Sequence, residues 1–226
     1  MNNTLKVIIN GMVGIAMGAG LLPAAAAATL DMAIQPVRSE KETREIYKPL
    51  ADYIAKVSGQ KVTIHTSRDF SEYWVTQKDN NPFEIIIDNA FFTDFRNERE
   101  GWISLAKVPG LVSYSLVTTA DNPVYDTKEL VGKRIASLMP PAPSGIFLGQ
   151  MFKNPLRQPA IIPTVTSEDS LKMLTEGKAD AAIIPTPLVN LAMSDGAELV
   201  TVKTSVQIPH TALSVSPNID EAVREK

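Results

Sequence analysis

The residues that could do chemistry sit where apolar strand-like runs end and helices begin. Ser144-Gly145 opens a helical stretch after a strand-like run at 133–137 and a proline-stiffened loop at 139–143. The first backbone N–H groups of such a helix have no partner in the chain, and the helix dipole favours negative charge there, so the arrangement suits a small anion. Ser144 is also a good N-cap residue, and a well-capped helix without a ligand is the plainer reading of the same residues. Asp88-Asn89 closes the continuous apolar run FEIIID, Thr166-Ser167 opens SEDSLKMLTEG, and Asp180 leads into the apolar run AAIIP. Asp88 and Asp180 in one cleft would repel a dianion and could pair with an amine or a metal. Asp180 is equally explained by capping a helix or pairing with a lysine.

Other chemistries lack their residues. The two histidines, His65 and His210, fall in different strands. A structural or surface role is expected for both, and no metal site. With no cysteine in the chain, thiolate zinc sites, cysteine nucleophiles and disulfides are excluded. No G-x-S-x-G elbow, P-loop, dinucleotide fingerprint or H-E-x-x-H motif is present. No acid–base pair has a spacing that implies catalysis, so neither a cofactor nor an enzymatic activity is expected.

The elements that position these residues alternate between strands and helices. LDMAIQPV reads as a strand, and Ser39 with Glu42 forms a capping box for a helix ending near Gly59, with Pro49 expected to kink it or delay its start. KVTIHT alternates as a strand, a short helix follows at 70–76, and FEIIID reads as a strand buried on both faces of a parallel sheet. Strands are expected at 101–108, 114–119, 133–137, 161–165, 179–185, 198–203 and 211–216. Helices are expected at 144–152, 167–177 (with a capping serine), 186–193 and from 218. The alternation implies an α/β chain with mostly parallel sheets.

The chain has 226 residues, 44% hydrophobic and 21% charged, with a formal net charge of −3. That length suits one large domain or two small lobes, and no basic field marks a nucleic-acid or membrane-surface partner. The first 28 residues differ in kind: Lys6 is the only charge before Asp31, residues 7–22 are apolar or small, and an alanine run fills 24–28. They read as a secretory signal peptide cleaved near 26–28, so the mature protein is expected in the periplasm. An uncleaved anchor fits less well, because Gly11, Gly14, Gly18 and Gly20 dilute the apolar run.

Five pieces in order, YKPLADYIAKVSGQKVTI, FEIIIDNAFF, ELVGKRIASLMPPAPSGIF, SLKMLTEGKADAAIIP and SVQIPHTALSVSP, resemble the phosphate/phosphite/phosphonate-binding (PhnD-like) family of periplasmic binding proteins of ABC importers. The resemblance implies a type 2 periplasmic-binding-protein-like α/β fold: two α/β lobes joined by a two-strand hinge, closing over a small ligand. It places lobe 1 at 29–115, lobe 2 at 116–205 and a return to lobe 1, possibly truncated, at 206–226, with crossings near 115–119 and 204–209. It implies a ligand site at Pro36, Tyr47, Asp88, Asn89, Ser144, Gly145, Thr166, Ser167 and Asp180. Its implied partners are a small oxyanion and an inner-membrane ABC permease or a sensor, with the protein a monomer. The chain departs from the family pattern at the anion loop, where an S-T-S-G-like sequence is replaced by Ala142, Pro143, Ser144 and Gly145. A histidine usual at the next helix start is replaced by Thr166-Ser167, and Asp88-Asn89 replaces a small or Gly-Pro pair. A sensory or accessory module on the same scaffold, binding a partner protein or a non-phosphorus ligand, remains the alternative.

Overall fold

The computed structural model describes residues 29–78 and 81–225, so the expected signal peptide at 1–28 lies outside the described residues. The chain opens with β1 (Thr29–Ile34), α1 (Glu40–Ser58), β2 (Lys61–His65), α2 (Phe70–Lys78), β3 (Ile85–Asp88), α3 (Ala90–Glu100) and β4 (Ile103–Lys107). Ser39 and Glu42 form the expected capping box, and Gly59 ends α1 at φ 74°, a left-handed conformation that glycine adopts without a Cβ penalty. The delayed start expected as one outcome at Pro49 does not occur. Pro49 lies inside one continuous helix, on its exposed side. The lost hydrogen bond is offset by the apolar face of Tyr47, Leu50, Ala51 and Ile54, which packs on the sheet.

β1, β2 and β3 are parallel, and the late strand β12 (Ala212–Val215) inserts antiparallel between β3 and β4 to give the order β2-β1-β3-β12-β4. Strand alternation sends Met32, Ile34, Ile85 and Ile87 towards α1. Ala33 and Ile86 point the other way, into Phe70, Tyr73, Phe92 and Trp102. The apolar run in β3 is thus buried on both faces.

The second half contributes β5 (Leu111–Val112), β6 (Tyr114–Thr119), a 3-10 turn (Thr127–Leu130), β7 (Arg134–Ser137), α4 (Pro143–Met151), β8 (Ala160–Pro163), α5 (Ser167–Thr175), β9 (Ala181–Pro185), α6 (Thr186–Ser194), β10 (Leu199–Thr204) and β11 (Ile208–Pro209). Its sheet has the order β10-β6-β9-β7-β8, with β7, β8 and β9 parallel and β6 antiparallel to both neighbours. Ala181 and Ile183 of β9 face Phe147 and Leu148 of α4. Ala182 and Ile184 face Leu174 of α5 and Val189 of α6. A four-residue helix, α7 (Glu221–Arg224), follows β12.

Two chain segments join the lobes, and they pair with each other as the short antiparallel ribbon β5–β11. β6 and β10 lie wholly in the second sheet. The lobes are in contact beyond the ribbon. Leu138 and Ala142, at the entry to α4, pack into the Phe70–Tyr73–Phe92 cluster of the first lobe, and the Phe91 and Phe147 rings lie 5.7 Å apart.

Candidate functional site

Between the lobes lies a cavity of about 330 Å³. It is reached by the C-terminal ends of four strands: Gln35 after β1, Asn89 after β3, Leu138 after β7 and Pro185 at the end of β9. In α/β sheets this is the edge where loops and helix starts converge and ligands are held.

α4 starts one residue earlier than the sequence suggests. Pro143 takes the first helical position and Ala142 is the cap, with no side-chain capping bond. Proline suits that position because its fixed φ is helical and its missing N–H would have had no partner. Ser144 is therefore not the cap. It lines the cavity, is only 2% exposed, and its hydroxyl has no hydrogen-bond partner among the described residues. The N–H groups of Ser144 and Gly145 are the ones that helix geometry leaves free. Gly145 supports the site from behind: a Cβ there would lie 2.5 Å from the Pro140 nitrogen and 2.7 Å from the Leu138 oxygen.

A second helix start meets the same cavity. Thr166, not Ser167, caps α5: its Oγ1 accepts from the Asp169 N–H at 3.0 Å, and the Asp169 carboxylate accepts from the Thr166 hydroxyl at 2.7 Å. Thr166 is occupied in this box and does not line the cavity, whereas the buried Ser167 does, with no side-chain partner among the described residues. Asn89 also lines the cavity. Its Oδ1 accepts from the Phe91 and Phe92 N–H groups, capping α3, and its Nδ2 donates to Gln35 Oε1 at 3.0 Å.

The remaining expected residues lie elsewhere. Pro36 is buried beside Gln35 without lining the cavity. Tyr47 belongs to the apolar face of α1, because its spacing to Leu50 and Ile54 puts it on the same stripe, and burial pushes its phenol up. Asp88 turns away from the cavity, as strand alternation requires when its neighbour Asn89 turns towards it. Its carboxylate is fully buried, paired with Arg96, and accepts from the Tyr73 hydroxyl at 2.9 Å and the Thr93 hydroxyl at 3.2 Å. Burial raises the Asp88 pKa, against the opposing pull of Arg96, Tyr73 and Thr93.

Asp180 precedes β9, at the end of the strand opposite Pro185, about 15 Å from the cavity at the usual strand rise. It accepts from the Arg134 N–H at 2.8 Å and from the Arg134 guanidinium at 3.0 Å. Neither acid faces the cavity, which removes the basis for an amine or metal ligand held by this pair. Arg134 holds the Asp180 carboxyl below its ordinary range. A lowered folded-state pKa means that its stabilising contribution is present above the ordinary carboxylate range and is lost as pH falls through the lowered value. Asp180→Asn should leave ligand affinity within about twofold of wild type and lose a little stability at neutral pH, with the deficit closing as pH falls through the lowered carboxyl value; melts at pH 7 and in acid check this.

Several cavity residues carry no local sequence signal. Arg38 and Glu168 form a 3.0 Å ion pair that spans the two lobes. Among the described lining residues, Arg38 is the only lysine or arginine and Glu168 the only carboxylate. His210 lines the wall with its Nδ1 accepting from the Thr211 N–H at 2.8 Å. Tyr114 is half-buried there, and its desolvation raises its phenol well above the usual range.

Residues 32–226 match the family model described as "ABC transporter, phosphonate, periplasmic substrate-binding protein". A search of curated proteins gives no match. Among solved structures, the chain is similar to a binding protein component of an ABC phosphonate transporter from Pseudomonas aeruginosa (TM-score 0.72, 12% identity, 88% of this chain and 72% of that one). It is similar to PhnD1 from Prochlorococcus marinus in complex with methylphosphonate (TM-score 0.70, 11% identity, 87% and 79%). The GluR0 ligand-binding core from Nostoc punctiforme, in complex with (L)-glutamate, shares the fold more distantly (TM-score 0.58, 15% identity, 87% and 90%). At such identities these likenesses show a fold, the two-lobed type 2 periplasmic-binding architecture, and the matched family model carries the assignment: the chain belongs to the periplasmic substrate-binding proteins of phosphonate ABC transporters.

Proposed function

We propose that the protein captures a small oxyanion, phosphonate- or phosphate-like, between its lobes in the periplasm and delivers it to an inner-membrane ABC permease. One observation carries this reading: two helix starts, α4 and α5, open onto the same cavity, each with a buried serine that lines it and has no side-chain partner among the described residues. Free N–H groups and the positive ends of two helix dipoles favour an anion there. Among the described lining residues the one carboxylate, Glu168, is already neutralised by Arg38. The lobes would open and close by rotation about the β5–β11 ribbon, the narrowest connection between them. The protein acts as a monomer and carries out no chemical step on the ligand.

The test is a thermal-shift screen of the purified protein with phosphate, phosphite and alkylphosphonates, followed by calorimetric titration of the best responder. A ligand that binds only the folded form raises the melting temperature by mass action. Ser144→Ala should weaken binding about tenfold or more, because a hydrogen bond to a charged group contributes roughly 1.5–3 kcal/mol. A folded protein that responds to none of these anions would favour the partner-binding or sensory module instead.

A further inference from the structure

The cavity is a poor match for a bare inorganic dianion. The one full-time cation among its described lining residues, Arg38, is held by Glu168 across the lobes, so the pair presents no net charge. Pro143 has no N–H to give, and Ala142 has no hydroxyl. By contrast, more than half of the lining residues are aliphatic, proline or phenylalanine. α6 presents Leu188 and Leu191 to the cavity, and the connecting ribbon presents Val112 and Pro209. Leu191 is 58% exposed, apolar surface that a ligand could cover. The volume of about 330 Å³ falls in the range of roughly 300–1,000 Å³ in which pockets hold organic ligands on mostly apolar walls.

We infer that the preferred ligand is an organic oxyanion with a single negative charge and an apolar substituent, its head at the starts of α4 and α5 and its body against Val112, Leu188 and Leu191. This rests on the oxyanion reading of the cavity and narrows it. The helix starts and the serine hydroxyls suffice for one charge. A second charge would have to draw Arg38 away from Glu168 and leave that carboxylate unpaired on a partly covered wall. Each methylene of the substituent that leaves water adds about fourfold in affinity, from roughly 0.8 kcal/mol per buried CH₂.

Calorimetric titration at fixed salt and pH 8.5 tests this with inorganic phosphate, methylphosphonate, butylphosphonate, phenylphosphonate and the monomethyl ester of butylphosphonate. The expected order places the butyl and phenyl compounds at least tenfold tighter than methylphosphonate, and the singly charged ester at least as tight as its dianionic parent. Leu191→Asn, at a position too exposed to threaten the fold, should reduce the butyl-to-methyl ratio to threefold or less. Glu168→Gln, which releases Arg38, should shift the dianion-to-monoanion preference several-fold towards the dianion. If phosphate or methylphosphonate binds tightest and Leu191→Asn leaves the ratio untouched, the inference is overturned while the oxyanion reading stands. If no phosphorus acid of any length binds the folded protein, the oxyanion reading falls and the inference falls with it.

Discussion

Arg96→Leu is expected to lower the melting temperature by roughly 10 °C. The guanidinium and the Asp88 carboxylate are both 1% exposed, and the pair ties α3 to the end of β3. Arg96 also donates to Gln77 Oε1 at 3.0 Å and lies 5.6 Å from the centre of the Trp102 ring, so it links α2, α3 and the start of β4. Removing one partner of a buried pair costs about 3–5 kcal/mol, because the other charge stays buried without compensation. For a chain of this size, each kcal/mol moves the midpoint by about 2–4 °C. Thermal melts followed by circular dichroism measure the shift. Because the cost lies in the orphaned charge, Asp88→Leu combined with Arg96→Leu should recover part of the loss. A single variant that melts within 2 °C of wild type would show that the cluster does not hold the first lobe together.

Gly145→Ala is expected to weaken ligand binding at least tenfold and to cost about 1–3 kcal/mol of stability, the usual range for overpacking. The added methyl would meet the Pro140 nitrogen at 2.5 Å and the Leu138 oxygen at 2.7 Å, both backbone atoms that no rotamer change can move aside. α4 must therefore shift away from the loop, taking the Ser144 hydroxyl and both free N–H groups with it. Gly149 in the same helix provides the contrast, since a Cβ there meets nothing within 4 Å. Gly149→Ala should leave binding intact and add about 0.5–1 kcal/mol from the better helix propensity of alanine. Titration and melting of the two variants side by side separate the packing effect from propensity; equal binding by both would mean that the position of α4 does not set affinity.

The fold was legible where local rules and tertiary packing agree. The Ser39–Glu42 capping box, the glycine after α1 and the doubly buried run of β3 each announced an element that formed where expected. Pro49 does not delay the start of α1, because its cost is confined to one hydrogen bond on an exposed face while four apolar neighbours pack on the sheet. Of the residues expected at the ligand site, the structure brings some together at one cavity and leaves others away from it. Ser144, Ser167 and Asn89 do meet in one cavity, since each lies at a strand end or a helix start. Asp88 lies away from the cavity because adjacent residues at a strand end face opposite ways, and its partner, Arg96, sits two helical turns along α3 on the other side. Asp180 lies at the wrong end of its strand, a matter of strand direction that no motif carries. Arg38 and Glu168 are separated by most of the chain, and their pairing exists only when the lobes meet.

The most direct test of the central claim is a crystal structure with the tightest-binding oxyanion from the titrations. The anionic head is expected within hydrogen-bonding distance of the Ser144 and Gly145 N–H groups, the Ser144 hydroxyl and Ser167, with both lobes in contact with the ligand. Ligand bound instead beside Asp180 and Arg134, or in the groove lined by Asp94 and Asn97 of α3 and Leu105 of β4, with the inter-lobe cavity holding only water, would contradict the claim.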